Sequence, residues 1–323
     1  MKRRNPGAAM RVATLAAALA CAAALPAAAA PKATLVLGST NSTSSHFAVA
    51  NGMVKAIKAG IPTSNVSVIE TGASVDNVRR LMKGEIDLGL IATDTGIQAL
   101  TGTGPFQGGK EVSDLVAVYS YDVSVLNVAV SQESGVTELK GLTGKKLNPG
   151  IRGSGAEQLT RQVFGTLGIE PQWVPGTVKD ATEGIQNRQI AGYSKYGPGS
   201  GVDATLRELM VTTPMRLLTF DADAQAKITA SVKGVGFTQI PNVMQGQGQV
   251  TAPAVLIVYG TRRELMDDET AFAVARAIHQ NKQALIEAWP HLKDFDFKAQ
   301  ALAAEKVGVP LHPGAKKYWD SVK

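Results

Sequence analysis

One arrangement constrains this chain more than any other: a short apolar strand, a loop of small polar residues, an amphipathic helix, then strand, helix and strand, and it occurs twice. In the first occurrence residues 34–37 read as a strand ending at Gly38, followed by the hydroxyl-rich loop Ser39-Thr40-Asn41-Ser42-Thr43-Ser44-Ser45. Residues 46–59 read as a helix with Phe47, Ala50, Met53, Val54 and Ile57 on one face. Ser44 or Ser45 caps it, and Gly60 with Pro62 stops it. Residues 66–70 form the next strand, 74–83 the next helix, and 86–92 a continuous apolar strand of the kind buried on both faces. The second occurrence runs through a strand at 145–148, a glycine loop at 149–154, a helix at 156–167 and strands at 172–174 and 190–193 around a helix at 180–187. Strand and helix alternate, which is the pattern of an α/β fold with a largely parallel sheet.

Apolar strands at 126–131 and 254–259 flank the second unit and read as paired crossings between two lobes. The expected architecture is therefore two-lobed α/β with a hinge and an interlobe cleft. Its segments are a leader at 1–29, lobe 1 from 30 to 126, lobe 2 from 127 to 253, and a return to lobe 1 over 254–323. After the return strand, 268–289 reads as one long amphipathic helix capped by Asp267 or Asp268. The glycine-rich stretch 234–248 reads as a loop.

The leader matters to the charge argument. Lys2, Arg3, Arg4 and Arg11 precede an apolar run from 12 to 25, then Pro26 and four alanines, the pattern of a secretory signal peptide cleaved near 28–30. The run is too short to span a bilayer. Residues 1–29 hold four Lys/Arg and no Asp/Glu, so the net charge of +6 falls to +2, with 29 basic against 27 acidic residues. A domain that close to neutral gives no reason to invoke nucleic acid. The single cysteine, Cys21, lies within the leader, which excludes a disulfide framework and a cysteine-ligated zinc site in the remainder. Ala18 stands where a lipoprotein signal carries leucine, three residues before the cysteine. Export to the periplasm follows.

The two loops after the first strands occupy equivalent places, where open α/β sheets bind ligands. Gly150-Ile151-Arg152-Gly153-Ser154-Gly155 supplies flexible backbone, a hydroxyl and a guanidinium, and a helix N-terminus there favours an anion such as a carboxylate. Each residue also has a plainer role. Ser154 with Glu157 makes a capping box, Ser44 and Ser45 are caps, and Arg152 is a surface charge. Thr93 and Asp94 follow the buried strand, but Asp94 reads equally as an N-cap of a helix at 95–100. Tyr121 and Asp122 suit a cleft wall or a hinge. Lys195 and Tyr196 follow the third strand of the second unit, and Tyr193 or Tyr196 stacks on a ligand or packs in the core.

Enzyme signatures fail. No Gly-x-Ser-x-Gly elbow exists around Ser154, since Arg152 occupies the first glycine position. Gly104–Lys110 imitates a phosphate-binding loop, but Glu111 replaces the required hydroxyl residue. His46, His279, His291 and His312 form no metal-ligand pair, and no cofactor is expected. His279 sits on an apolar helix face and reads as a core residue.

Taken in order, several segments resemble the TAXI-type extracytoplasmic solute-binding proteins of TRAP transporters (TRAP-associated extracytoplasmic immunogenic proteins). They are residues 37–47, Thr71-Gly72-Ala73-Ser74-Val75-Asp76-Asn77, residues 83–90, Leu142-Thr143-Gly144-Lys145-Lys146, Gly153-Ser154-Gly155, residues 212–218 and Leu311-His312-Pro313-Gly314-Ala315. The resemblance spans about 34 to 319. It implies a hinged binding protein that closes on a small organic anion, a dicarboxylate or an amino acid, and delivers it to TRAP membrane permease subunits; a monomer is expected. It also makes His312 a structural residue that starts the last helix. In this family the first loop is usually glycine-rich with two tyrosines before the helix, and His46-Phe47 stands there instead, which makes pH-sensitive binding an expectation. Ala191 replaces a usual aspartate. The expected ligand walls are Ser44, Ser45, His46, Phe47, Ser74 and Thr93 on one side and Arg152, Gly153, Ser154, Gly155 and Lys195 on the other, with Tyr121 near the hinge. Arg152 or the amides beside Ser154 hold the carboxylate. Other classes consistent with the residues are a ligand sensor for a membrane receptor and a secreted serine hydrolase.

Overall fold

The computed structural model describes residues 31–323 apart from 110, 200, 242, 243 and 245; the expected leader with Cys21 lies outside the described residues. The first unit consists of β1 (Thr34–Gly38), α1 (Ser45–Gly60), β2 (Asn65–Ile69), α2 (Ser74–Met82) and β3 (Leu88–Ala92), followed by α3 (Thr93–Thr101). β1 pairs in parallel with both β2 and β3, so the sheet order is β2-β1-β3. After the long β4 (Leu115–Ser131), the second unit repeats this plan with β5 (Lys146–Asn148), α4 (Gly155–Leu167), β6 (Gln172–Trp173), α5 (Val178–Gln186) and β7 (Gly192–Pro198). Its order is β6-β5-β7, again parallel. In each unit the first strand is central, so the loop after it opens at the carboxyl edge of the sheet.

The chain then passes through α6 (Ala204–Thr212), β8 (Met215–Leu217), α7 (Ala222–Ser231) and β9 (Gly236–Ile240) to β10 (Val250–Arg262). β4 and β10 stitch the two units into one ten-stranded sheet. Residues 115–125 of β4 pair antiparallel with β10, and 124–130 pair with β7. β10 reciprocates, pairing with β9 through 250–254 and with β3 through 257–260. Almost every residue of β4 is buried, so both of its faces are covered by helices and by the rest of the core. The chain ends in α8 (Asp268–Gln280), α9 (Gln283–Ala288), α10 (Phe297–Lys306) and α11 (Pro313–Ser321), which pack on the first unit around Trp319 and Tyr119.

Four sequence expectations change. The strand at 190–193 begins at 192 and runs to 198, so Lys195 and Tyr196 are strand residues opposite Asn127 and Leu126. The stretch 234–248 is not wholly loop, because 236–240 form β9 against β10. The long helix breaks at Asn281, whose side-chain amide donates to the Ala277 carbonyl at 2.8 Å. The break lets α9 lie against α1, where a Cβ on Gly52 would come within 2.7 Å of the Ala284 carbonyl. Finally α3 starts at Thr93 with Ala92 in the cap position, which places Asp94 inside the first turn.

Candidate functional site

Three helix N-termini converge between the two units, and each is built by a local rule visible in its residues. Ser44 caps α1 by accepting from the His46 amide at 3.2 Å. Ser154 caps α4 by accepting from the Glu157 amide at 3.1 Å, and Glu157 reaches back to the Gly153 amide at 2.8 Å. Ahead of it Gly150 has φ +126, and a Cβ there would sit 2.8 Å from the Glu157 amide nitrogen, so only glycine closes this turn. α2 is entered through Ala73 at φ +68 and ψ −149, a conformation side chains rarely adopt. It is held by Thr71, whose hydroxyl accepts from the Ala73 amide and donates to the Ser39 carbonyl.

The tips of α2 and α4 touch. The Val75 amide donates to the Gly153 carbonyl at 3.2 Å, and a Cβ on Gly155 would lie 3.0 Å from Ser74 Oγ. Beneath them is a cleft of about 640 Å³, counting the part open to solvent. Among the described residues, the backbone amides of Ser74, Gly155 and Ala156 have no hydrogen-bond partner. Ser74 Oγ accepts from the Ala92 amide at 3.0 Å, which leaves its proton free to donate. β7 adds Tyr193 and Ser194, both buried, and Tyr196; none of their hydroxyls has a partner.

His46 also lines this cleft. The buried Tyr121 hydroxyl is 2.8 Å from its Nδ1. Burial raises the Tyr121 pKa, so the phenol keeps its proton while hydrogen-bonded to the imidazole. Burial first, and then the positive Lys195, lower the His46 pKa to about 4. Lys195 itself is engaged, with its Nζ 2.7 Å from Asp203 Oδ2 and 3.1 Å from Thr205 Oγ1.

Of the residues expected from sequence, Ser44, His46, Ser74, Ser154, Gly155 and Lys195 line the cleft together. Ser45 faces a neighbouring recess shared with Lys195 and Asp203. The others stand elsewhere. Tyr121 lies behind His46, and Gly153 gives its carbonyl to the seam. Thr93 is spent internally, accepting from the Leu256 amide and donating to the Gly234 carbonyl. Phe47 is half-buried on α1, and Arg152 is exposed; neither lines the cleft. Sequence reasoning did not single out Asn148, Ile151 and Ser194, which also line it. Asn148 had a signal: it ends the first strand of the second unit, and its Oδ1 accepts from the Gly150 amide at 2.9 Å. Among the described residues, no cluster of His, Cys, Asp or Glu is arranged to hold a metal, and no helix is long and apolar enough to cross a membrane.

A sequence model of the NMT1-like family matches residues 37–321. The structure is similar to that of MatC from Rhodopseudomonas palustris with bound malate, at 10% identity and TM-score 0.52, over 90% of this chain and 99% of that one. The periplasmic aliphatic sulphonate binding protein SsuA from Escherichia coli matches at 16% identity and TM-score 0.49, over 90% of this chain and 83% of that one. A TRAP periplasmic solute binding protein from a Sulfitobacter species, with bound β-D-galacturonate, matches at 10% identity and TM-score 0.47, over 89% and 92%. At the identity shared with MatC, the likeness is one of fold.

Proposed function

The chain belongs to the NMT1-like family, and from that premise we propose that it is a periplasmic solute-binding protein of the TAXI type that captures a small organic anion and delivers it to TRAP permease subunits. The two lobes are 30–126 with 254–323, and 127–253. Closure brings their helix tips together over the solute, and the crossing strands β4 and β10 carry the hinge.

The observation that carries the reading is the cleft under α2 and α4. Helix N-termini favour negative charge, and amides without partners in a partly enclosed site ask for an acceptor. Here the amides of Ser74, Gly155 and Ala156 are supplied from both sides of one seam. A site completed only when two lobes meet is what a capture protein needs, because release then requires reopening. The leader pattern of the sequence and the malate held by a protein of the same fold agree with this role.

The test is native mass spectrometry of the purified protein without its leader, followed by denaturation and identification of what is released. A stoichiometric small acid is the expected result. If the protein is empty and a thermal-shift screen of organic acids moves its unfolding midpoint nowhere, the capture reading fails.

A further inference from the structure

Resting on that reading, we infer that the cleft selects a small monocarboxylate with an apolar body, and discriminates against both dicarboxylates and zwitterionic amino acids. The inference comes from counting charges around the site. Lys195 is the one charged side chain among the described residues that line it, and Asp203 neutralises it at 2.7 Å. Asp203 is held in turn as the cap of α6, accepting from the Leu206 amide at 2.7 Å, so the pair is fixed rather than poised to swing inward. Arg152 is exposed and off the lining. His46 Nδ1 lies 2.8 Å from the Tyr121 hydroxyl, and burial keeps the imidazole neutral near pH 7.

What attracts an anion is therefore backbone: partnerless amides at the tips of two helices, with the hydroxyl of Ser74 beside them. That set serves one carboxylate. A second carboxylate would be taken out of water with no free cation to meet it. An ammonium group fares no better, because among the described residues no Asp or Glu lines the cleft. The remaining lining is uncharged: Leu90, Ile151, Val178 and Ile257 with the rings of Tyr193 and Tyr196 make its apolar part, while Thr40, Asn41, Ser44 and Ser154 are polar but bonded locally in the two loops and caps. The partnerless hydroxyls of Tyr193 and Ser194 are both at least nine-tenths buried, and leave room for one neutral polar group on the solute, such as a keto or hydroxyl oxygen.

Three probes of similar size separate the possibilities: 4-methyl-2-oxopentanoate, which carries one carboxylate; L-leucine, which adds an ammonium; and 2-oxoglutarate, which adds a carboxylate. Titration calorimetry at pH 7 on protein unfolded and refolded to strip any retained solute should show the mono-oxo acid binding at least tenfold more tightly than either of the others. Equal or tighter binding of leucine or 2-oxoglutarate overturns the charge argument while leaving solute capture intact. Failure of all three overturns the assigned class as well. Capture itself is then judged separately, by whether native mass spectrometry finds some other solute bound.

Discussion

At the scale of single residues, His46 makes the clearest claim. Burial holds its pKa near 4, so the folded protein takes up the imidazole proton less readily than the unfolded chain, where it titrates near 6.5. The stability linked to this group is whole above about pH 6.5 and is lost as the pH falls toward 4, by at most about 3 kcal/mol. Asp94 and Asp122, each pushed up from 3.8 to about 7 by burial, slope the opposite way and together outweigh it. The comparison must therefore be with His46→Gln, followed by urea unfolding at pH 4.5 and pH 7. On acidification the stability of the variant should rise relative to that of the wild type; parallel pH dependences would mean the imidazole is not held neutral. Neutrality at pH 7 also moves the pH sensitivity expected from sequence down to strongly acidic conditions. Arg152 makes a second residue-level claim, because its side chain is exposed away from the lining. Arg152→Ala should leave solute affinity within about twofold, since exposed charges contribute little once screened; a tenfold loss would bring the guanidinium back into the site.

The elements carry the seam. Gly155 is the residue on which α4 meets α2, and a Cβ there would stand 3.0 Å from Ser74 Oγ, 3.2 Å from the Ala92 Cβ and 3.3 Å from the Tyr196 ring. Gly155→Val should therefore wedge the closed form open. Its unfolding midpoint without solute should stay near that of the wild type, while added solute raises it far less, which differential scanning calorimetry separates. A midpoint that falls even without solute would mark Gly155 as a packing residue instead. This is also the scale at which the sequence was most and least readable. The repeated strand–loop–helix plan was legible because apolar periodicity and caps such as Ser44 and Ser154 are local signals. The full length of β4 was not, because Tyr119-Ser120-Tyr121-Asp122 breaks its apolar run. The structure buries Ser120 by long-range pairing, its hydroxyl donating to the Ile257 carbonyl, and Asp122 by a local bond accepted from Ser124. β9 was hidden for a related reason: Gly236–Ile240 is ordered by β10, a partner supplied from a distant stretch of chain. Ser194 belongs to the site only because β7 runs alongside β4, which no local pattern announces.

For the whole molecule, the contacts across the seam are few compared with the continuous pairing of β4 and β10, and this difference decides what moves. The seam rests on the Val75–Gly153, Gln98–Gln162 and Thr93–Gly234 hydrogen bonds and the packing of Ser74 on Gly155, whereas the crossing strands exchange hydrogen bonds from 115 to 125 and from 254 to 262. The units should therefore part at the seam and stay joined through the strands, as in hinge closure around a ligand. A compact chain of about 290 residues has a radius of gyration of about 19 Å. Small-angle scattering should give a value close to that with solute present and about 1 Å larger without it. Hydrogen exchange should localise the change, with the Val75 amide protected only when solute is bound and the β4 and β10 amides protected in both states. If scattering and exchange are both unaltered by a solute that binds, capture occurs in a fixed pocket, and the meeting of the two helix tips is a permanent feature of the fold rather than the closed state of a clamp.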